Sequence, residues 1–489
     1  MWNLVKENFF ESSRERYIDT PNLVFFKEVN NITTIGNTWN RAVVHYTLFF
    51  LTFLTGISSF AATIDVGPST SELITAITTA NNNDEDDILR LSSKYTYSFS
   101  AAHTSKADGY GAIALPAITS NITIEGKGAT LTRASGNFRF FYVKKGNLNL
   151  KNVTVSNGYF KAGDGGGSKV SGSGGGAAGL GGAIFNCGSL NLDGVTMSFN
   201  VTQGGKGGGI AAYSAGEYSA GGGGGGGMTG NGSNGQGDNT ADTMTTHFKY
   251  GDGGKGGGLD GGAGGKGSPQ GRGDNGDSGE NCSGGGGNSH GPSPQHGANA
   301  GDGDFGGGGG GGALPNDESC FPWRHGFAGV GGHGGFGGGG GGSSNASGGH
   351  GAGGGNGGFG GGKGGKGDHV HGGGGGGGGA GLGGAIFNNK GHVEIINCTF
   401  YKNGARGGAG GKNDNHGSAG WGRGSAIFNY CGTTSIVNAT FAYNETDAVY
   451  NYQKNTAENS RMSIKNTMIV FSKDHDLIND GDKQIFWLA

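Results

Sequence analysis

Gly181-Gly182-Ala183-Ile184-Phe185-Asn186 returns almost letter for letter as Gly383-Gly384-Ala385-Ile386-Phe387-Asn388 and again as Gly424-Ser425-Ala426-Ile427-Phe428-Asn429. Each copy leads through a turn glycine into a second pattern. Leu190-Asn191-Leu192-Asp193-Gly194-Val195-Thr196-Met197 aligns with Val393-Glu394-Ile395-Ile396-Asn397-Cys398-Thr399-Phe400 and with Ser435-Ile436-Val437-Asn438-Ala439-Thr440-Phe441. Relatives lie earlier, at Leu148 to Val155, and later, at Met462 to Ile469. Apolar residues in alternation make short strands with one buried face, and an Asn or Gly between two strand pieces marks a bend. Copies of such a unit bury their faces by stacking.

Stacked in this way, the repeats predict an all-β chain, a right-handed parallel β-helix. Ile184, Ile386 and Ile427 would line one wall, and Leu192, Ile395 and Ile436 another. Asn152, Asn397, Asn438 and Asn466 would form a corner ladder, since Asn accepts a left-handed backbone. The same Asn-x-Thr triplets also read as glycosylation acceptors. Upstream, Ser71 to Asn81 places Leu73, Ile74 and Ile77 at helical spacing, as expected of a helix capping the solenoid. The acidic run Asp84 to Asp87 then reads as a solvated turn before a strand, or as a calcium or catalytic site.

Glycine fills the gaps between repeats. Gly158 to Leu180, Gly204 to Leu382 and Gly404 to Gly424 leave the same corner of successive repeats, and the chain holds 119 glycines in 489 residues. Two readings stand for the longest of these segments. It is a flexible linker, or it is a bundle of extended polyglycine-II strands with three residues per turn, whose amides bond to neighbouring strands. The expected organisation is an N-terminal extension and signal peptide over 1–61, a cap and first coils over 62–203 with a small glycine loop at 158–180, the glycine-rich insert over 204–380, and C-terminal coils over 381–489.

The Gly-Gly-Ala-Ile block, with Phe400-x-x-Asn403 and Phe441-x-x-Asn444, resembles the GGA[ILV] and FxxN repeats of chlamydial polymorphic outer-membrane proteins and related bacterial β-helix proteins. The stretch Leu115 to Arg133 is similar to the same group. The resemblance implies a surface-exposed passenger used in adhesion. The chain's last residues, Phe486-Trp487-Leu488-Ala489, do not continue into the alternating strands of a membrane barrel, so autotransport in cis is not expected. The insert also resembles, in composition, the glycine-rich tip of certain phage tail-fibre adhesins.

The apolar run Val43 to Phe60 follows Arg41 and ends in small residues, which predicts export with cleavage after Ala61 or, uncleaved, a signal anchor. A secreted or cell-surface location follows. A net charge of −3 gives no footprint for nucleic acid. No cofactor or metal is expected: five cysteines without a CxxC pair make no zinc site, and His369 and His371 lack companion ligands. Cys282 and Cys320 could pair in an oxidising compartment, whereas Cys398 falls at a core position. No Gly-Lys-Ser/Thr follows the glycine runs, which excludes a phosphate loop.

Two islands interrupt the glycine, Thr240 to Tyr250 and Ala313 to Val330. Phe321, Trp323 and Arg324 in the second are the candidate binding residues, aromatic and arginine anchors for a cell-surface receptor or glycan. Arg272-Gly273-Asp274 spells an integrin-type tripeptide that such a composition produces by chance. The enzymatic alternative is a polysaccharide lyase or hydrolase, for which Asp193 and Glu394 on adjacent repeats are the carboxylates that could converge.

Overall fold

Alternating burial runs through the repeats as their alternating sequence requires. In Asn147–Ser156 the side chains of Leu148, Leu150, Val153 and Val155 point inward and are fully or almost fully buried. In the computed structural model the described residues are 62–83, 85–168, 171–210, 221–236, 252–266, 274–289, 298–313, 328–344, 352–367, 373–413, 415–455, 458, 460–480 and 486–488. They are mostly strand and extended chain, with a single α-helix among them.

The strands form one 14-stranded sheet, one of six strands and two of three. Every pairing between adjacent repeats is parallel. Leu192 pairs with Ile395 and Ile395 with Ile436, and Ile184 pairs with Ile386 and Ile386 with Ile427, the register in which the repeats align by sequence. The isoleucine and leucine ladders meet in one core, into which Phe400 and Phe441 stack at 4.6 Å and 5°.

Two asparagine ladders lock the layers. Each Asn that closes a Gly-Ala-Ile-Phe block is buried and donates its amide to the next: Asn186 to Asn388, Asn388 to Asn429 and Asn429 to Asn451, each at 2.7 Å. The Asn of Phe-x-x-Asn does likewise across another corner, Asn200 to Asn403 and Asn403 to Asn444. Buried amides satisfied in a row fix the vertical register, because a one-layer slip would orphan them. The predicted left-handed corner is present at Asn152, Asn397, Asn438 and Asn466, with φ between 46° and 54°. Gly181, Gly383 and Gly424 open each block with φ of 61–70°, which explains the glycine that all three copies share.

The helix α1, Thr70–Asn81, is capped by the Ser69 side chain on the Ser71 N–H and buries Leu73 and Ile77 completely. It covers the first layer of the core. The acidic run that follows departs from expectation. Asp84 lies outside the described residues and Asp86 accepts from the Asn121 amide, but Asp87 is buried at the second position of the strand Asp86–Leu91. Its backbone is committed to the parallel pairing with Ile122, which turns the side chain inward. Burial and the neighbouring Glu85 and Asp86 raise its pKa.

The glycine segments are ordered and belong to the same compact unit as the strands. Residues 172–179 show the arrangement. Gly172, Gly175 and Ala178 donate to the carbonyls of Gly312, Gly309 and Gly306; Ser173, Gly176 and Gly179 donate to Gly374, Gly377 and Ala380; Gly174 and Ala177 donate to Gly166 and Gly163. The same segment accepts from Gly223 and Gly226, from Gly339 and Gly342, and from Gly205 and Gly208. Partners therefore change with a period of three residues, and one segment has six neighbours, some parallel and some antiparallel. Such spacing leaves no room for a side chain: a Cβ built on Gly174 would sit against the Gly224 carbonyl oxygen, and one on Gly175 against that of Gly339. Glycine is required here for close approach.

Candidate functional site

The array meets the β body along an aromatic seam. Phe185, Phe387, Phe428 and Tyr450 occupy one position in four successive layers and stack at 5.4, 5.4 and 5.0 Å. Against them lies a second stack contributed by the array, Phe305 on Phe336 at 5.3 Å and Phe336 on Phe359 at 5.5 Å. Each of these three phenylalanines precedes a glycine with φ of 72–79°, so each marks a reversal at which the glycine chain turns on the body's surface. Phe336 also approaches Tyr430 at 4.4 Å and Phe359 approaches Tyr452 at 4.2 Å. Met228 and Cys282 pack into the same cluster. Burial pushes the Cys282 thiol up to about 12, so it remains a neutral, inert core group. Cys282 is a free thiol, and Cys320 lies outside the described residues.

One side chain beside this seam escaped sequence reading. Arg139 is fully buried, and no acidic side chain among the described residues pairs with it. It donates to the carbonyls of Tyr110, Leu180 and Gly181 at 2.6–3.0 Å and stands 3.8 Å over the Phe160 ring. Burial lowers its pKa to about 9, still charged at neutral pH. Three carbonyls and an aromatic face replace the counter-ion. It pins the Gly181 turn and the Tyr110 loop, a positioning role with no sequence motif behind it.

At the margins of the array, side chains return every third residue and cap the next segment's N–H. Asn275 accepts from Asn299 N–H, and Asn299 from Val330 N–H; Ser278 accepts from Asp302 N–H, Asp302 from His333 N–H, and His333 Nδ1 from Asn356 N–H. Asp164 and Lys206, and Asn231 and Asp164, are joined in the same way on another margin. These ladders satisfy amides that would otherwise form an open edge.

The reversals at the seam fix one end of the array; the residues bordering its longer connections share the other. Asp274 N–H donates to Lys266 O, Ser289 Oγ to both of these residues' carbonyls, Gly329 N–H to Ala313 O, Gln236 N–H to Asp252 O and Ile210 N–H to Lys412 O. Segments 211–220, 237–251, 267–273, 290–297, 314–327, 345–351 and 368–372 lie outside the described residues, and these bonds join only the described residues that border them.

The expected binding residues Phe321, Trp323 and Arg324 fall in 314–327, outside the described residues; the residues that bracket them, Ala313 and Ala328, are buried. The Thr240 to Tyr250 island, Arg272, Gly273, His369, His371 and the run Val43 to Phe60 also lie outside. Asp274 is exposed. Among the described residues no helix is long and apolar enough to cross a membrane, and no cluster of His, Cys, Asp and Glu could hold a metal ion.

The two candidate carboxylates share a strand face but are not directly opposite each other. Asp193 is level with Ile396, and Glu394 with Asn191, so the two are offset by two residues, about 7 Å along the strand. Asp193 meets the Asn397 amide instead. Comparisons with protein-family models, with curated proteins and with solved structures find no match.

Proposed function

We propose that the chain is a secreted or surface-displayed structural and adhesion protein, a right-handed parallel β-helix carrying a polyglycine-II-type array whose outer end presents binding loops. The reading is supported by one observation: described residues that border the array's longer connections, such as Lys266, Asp274, Ser289, Ala313 and Gly329, bond to one another away from the reversals at the aromatic seam. The in-register parallel ladders and the capping helix support the solenoid stalk, and the three-residue hydrogen-bond period with six neighbours supports polyglycine II. A rigid scaffold that gathers variable segments at one end suits recognition. Phe321, Trp323 and Arg324 are the proposed anchors for a receptor or glycan.

The test is adhesion of the purified full chain to bacterial, mammalian and plant cell surfaces, alongside a variant carrying Phe321→Ser, Trp323→Ser and Arg324→Ser. Adhesion by the parent that the variant loses supports the reading. Equal adhesion by both removes these residues from it, and no adhesion to any of the surfaces refutes it.

A further inference from the structure

At the corner formed by the second residue after the core position of the Phe-x-x-Asn strand, five successive layers carry Asn157, Phe199, Lys402, Tyr443 and Phe471, all with φ between 50° and 60°. Asn tolerates that backbone, as Asn157 does here and as four asparagines do at the other corner. A bulky aromatic side chain does not, and costs about 1–2 kcal/mol there. None of the three is a core residue: Phe199, Tyr443 and Phe471 are 47%, 50% and 68% exposed, and each keeps a ring edge or face toward solvent. Three strained, solvent-facing rings in one column serve neither propensity nor core, and such strain collects at binding sites.

The column is continuous. Phe199 meets Tyr401 at 5.7 Å, Tyr401 meets Tyr443 at 5.9 Å, and Tyr443 stacks on Phe471 at 4.9 Å. The Lys402 ammonium lies 5.1 Å from the Tyr401 ring. The stripe therefore joins apolar rings to hydroxyl and ammonium donors, over about 14 Å for three strand spacings.

Its shape selects the occupant. A row one side chain wide is far short of the roughly 800 Å² per partner of a stable protein interface. Strand addition is closed, because the corner amides are spent on the layer below: Phe199 N–H on Tyr401 O, Lys402 N–H on Ala442 O, Tyr443 N–H on Val470 O. A polyanion is disfavoured by a net charge of −3 and one lysine in the row. We infer that this corner binds an extended β-1,4-linked glycan, whose pyranose C–H faces meet the rings at each layer while its hydroxyls bond to the tyrosine and lysine groups. The site is separate from the array and stands or falls without it.

Cellohexaose and chitohexaose, titrated calorimetrically into the full chain, test this. One of them is expected to bind, and the variant Phe199→Asn/Tyr443→Asn/Phe471→Asn to weaken binding about tenfold or more without a lower melting temperature, since asparagine relieves the backbone strain. Phe471→Asn alone, at the most exposed ring, repeats the comparison if the triple variant melts early. Binding of neither hexasaccharide, undiminished binding by the variants, or a parent dimer that the variant merely dissociates would each overturn the assignment. The array is untouched in every arm, so such a failure leaves the adhesion reading standing.

Discussion

Replacing Gly175 with alanine puts one methyl group into the middle of the array. Gly175 donates to Gly309 and accepts from Gly226, both at 2.8 Å, and its added Cβ would meet the Gly339 carbonyl oxygen. Segment 338–342 must then retreat, which threatens the bonds from Gly339 N–H to Gly176 O and from Gly342 N–H to Ser173 O. Two bonds at about 1 kcal/mol each and about 1–3 kcal/mol of overpacking give a loss of about 3–5 kcal/mol. Gly353→Ala is the matched control. That glycine is exposed and a Cβ there would meet nothing within 4 Å, so the change should be neutral or stabilising by up to about 1 kcal/mol. Urea denaturation of the two variants against the parent reads the difference. Equal stability of Gly175→Ala and Gly353→Ala would refute close packing in the array.

Three further substitutions probe other parts of the molecule. Phe336→Ala removes the middle ring of the seam and should cost about 2–3 kcal/mol, less than for a fully buried ring, with the glycine segments losing protection before the strands. Arg139→Lys replaces a guanidinium that spans three carbonyls by one ammonium that cannot reach all of them, and should cost about 2–4 kcal/mol, measured by the same denaturation. Asp87 has a pKa raised by burial, so the folded state holds its proton more tightly than the unfolded chain. Its penalty is absent at pH below the ordinary carboxylate value and grows as pH rises through the folded value. Asp87→Asn should therefore raise the melting temperature at neutral pH, and the gain should shrink as the pH is lowered below 4, a range checked by melting curves across pH.

The parallel register was legible because it is written in side chains. Ile184, Ile386 and Ile427 share both a block and a ladder, and the asparagines of the left-handed corner announce their own backbone. The array was harder to read because glycine carries no hydropathy pattern. Its signal lay in what interrupts the glycine: Asn275 and Ser278, Asn299 and Asp302, Val330 and His333 fall three apart, and Phe305, Phe336 and Phe359 each precede a turning glycine. Arg139 gave no signal at all, because its partners are backbone carbonyls from distant segments. Asp87 sits in an acidic run that suggests a solvated turn, but its place in an alternating strand decides its direction. The aligned repeats already set Asp193 level with Ile396 and Glu394 level with Asn191, as the strands pair.

The described glycine segments are an ordered, laterally hydrogen-bonded part of the fold. Hydrogen–deuterium exchange on the full chain tests this directly. Peptides covering 172–179, 221–227, 307–312, 338–342 and 373–379 should exchange as slowly as the ladder strands around Leu192 and Ile395. Exchange in those peptides at the rate of an unstructured chain, with the strands still protected, would contradict it.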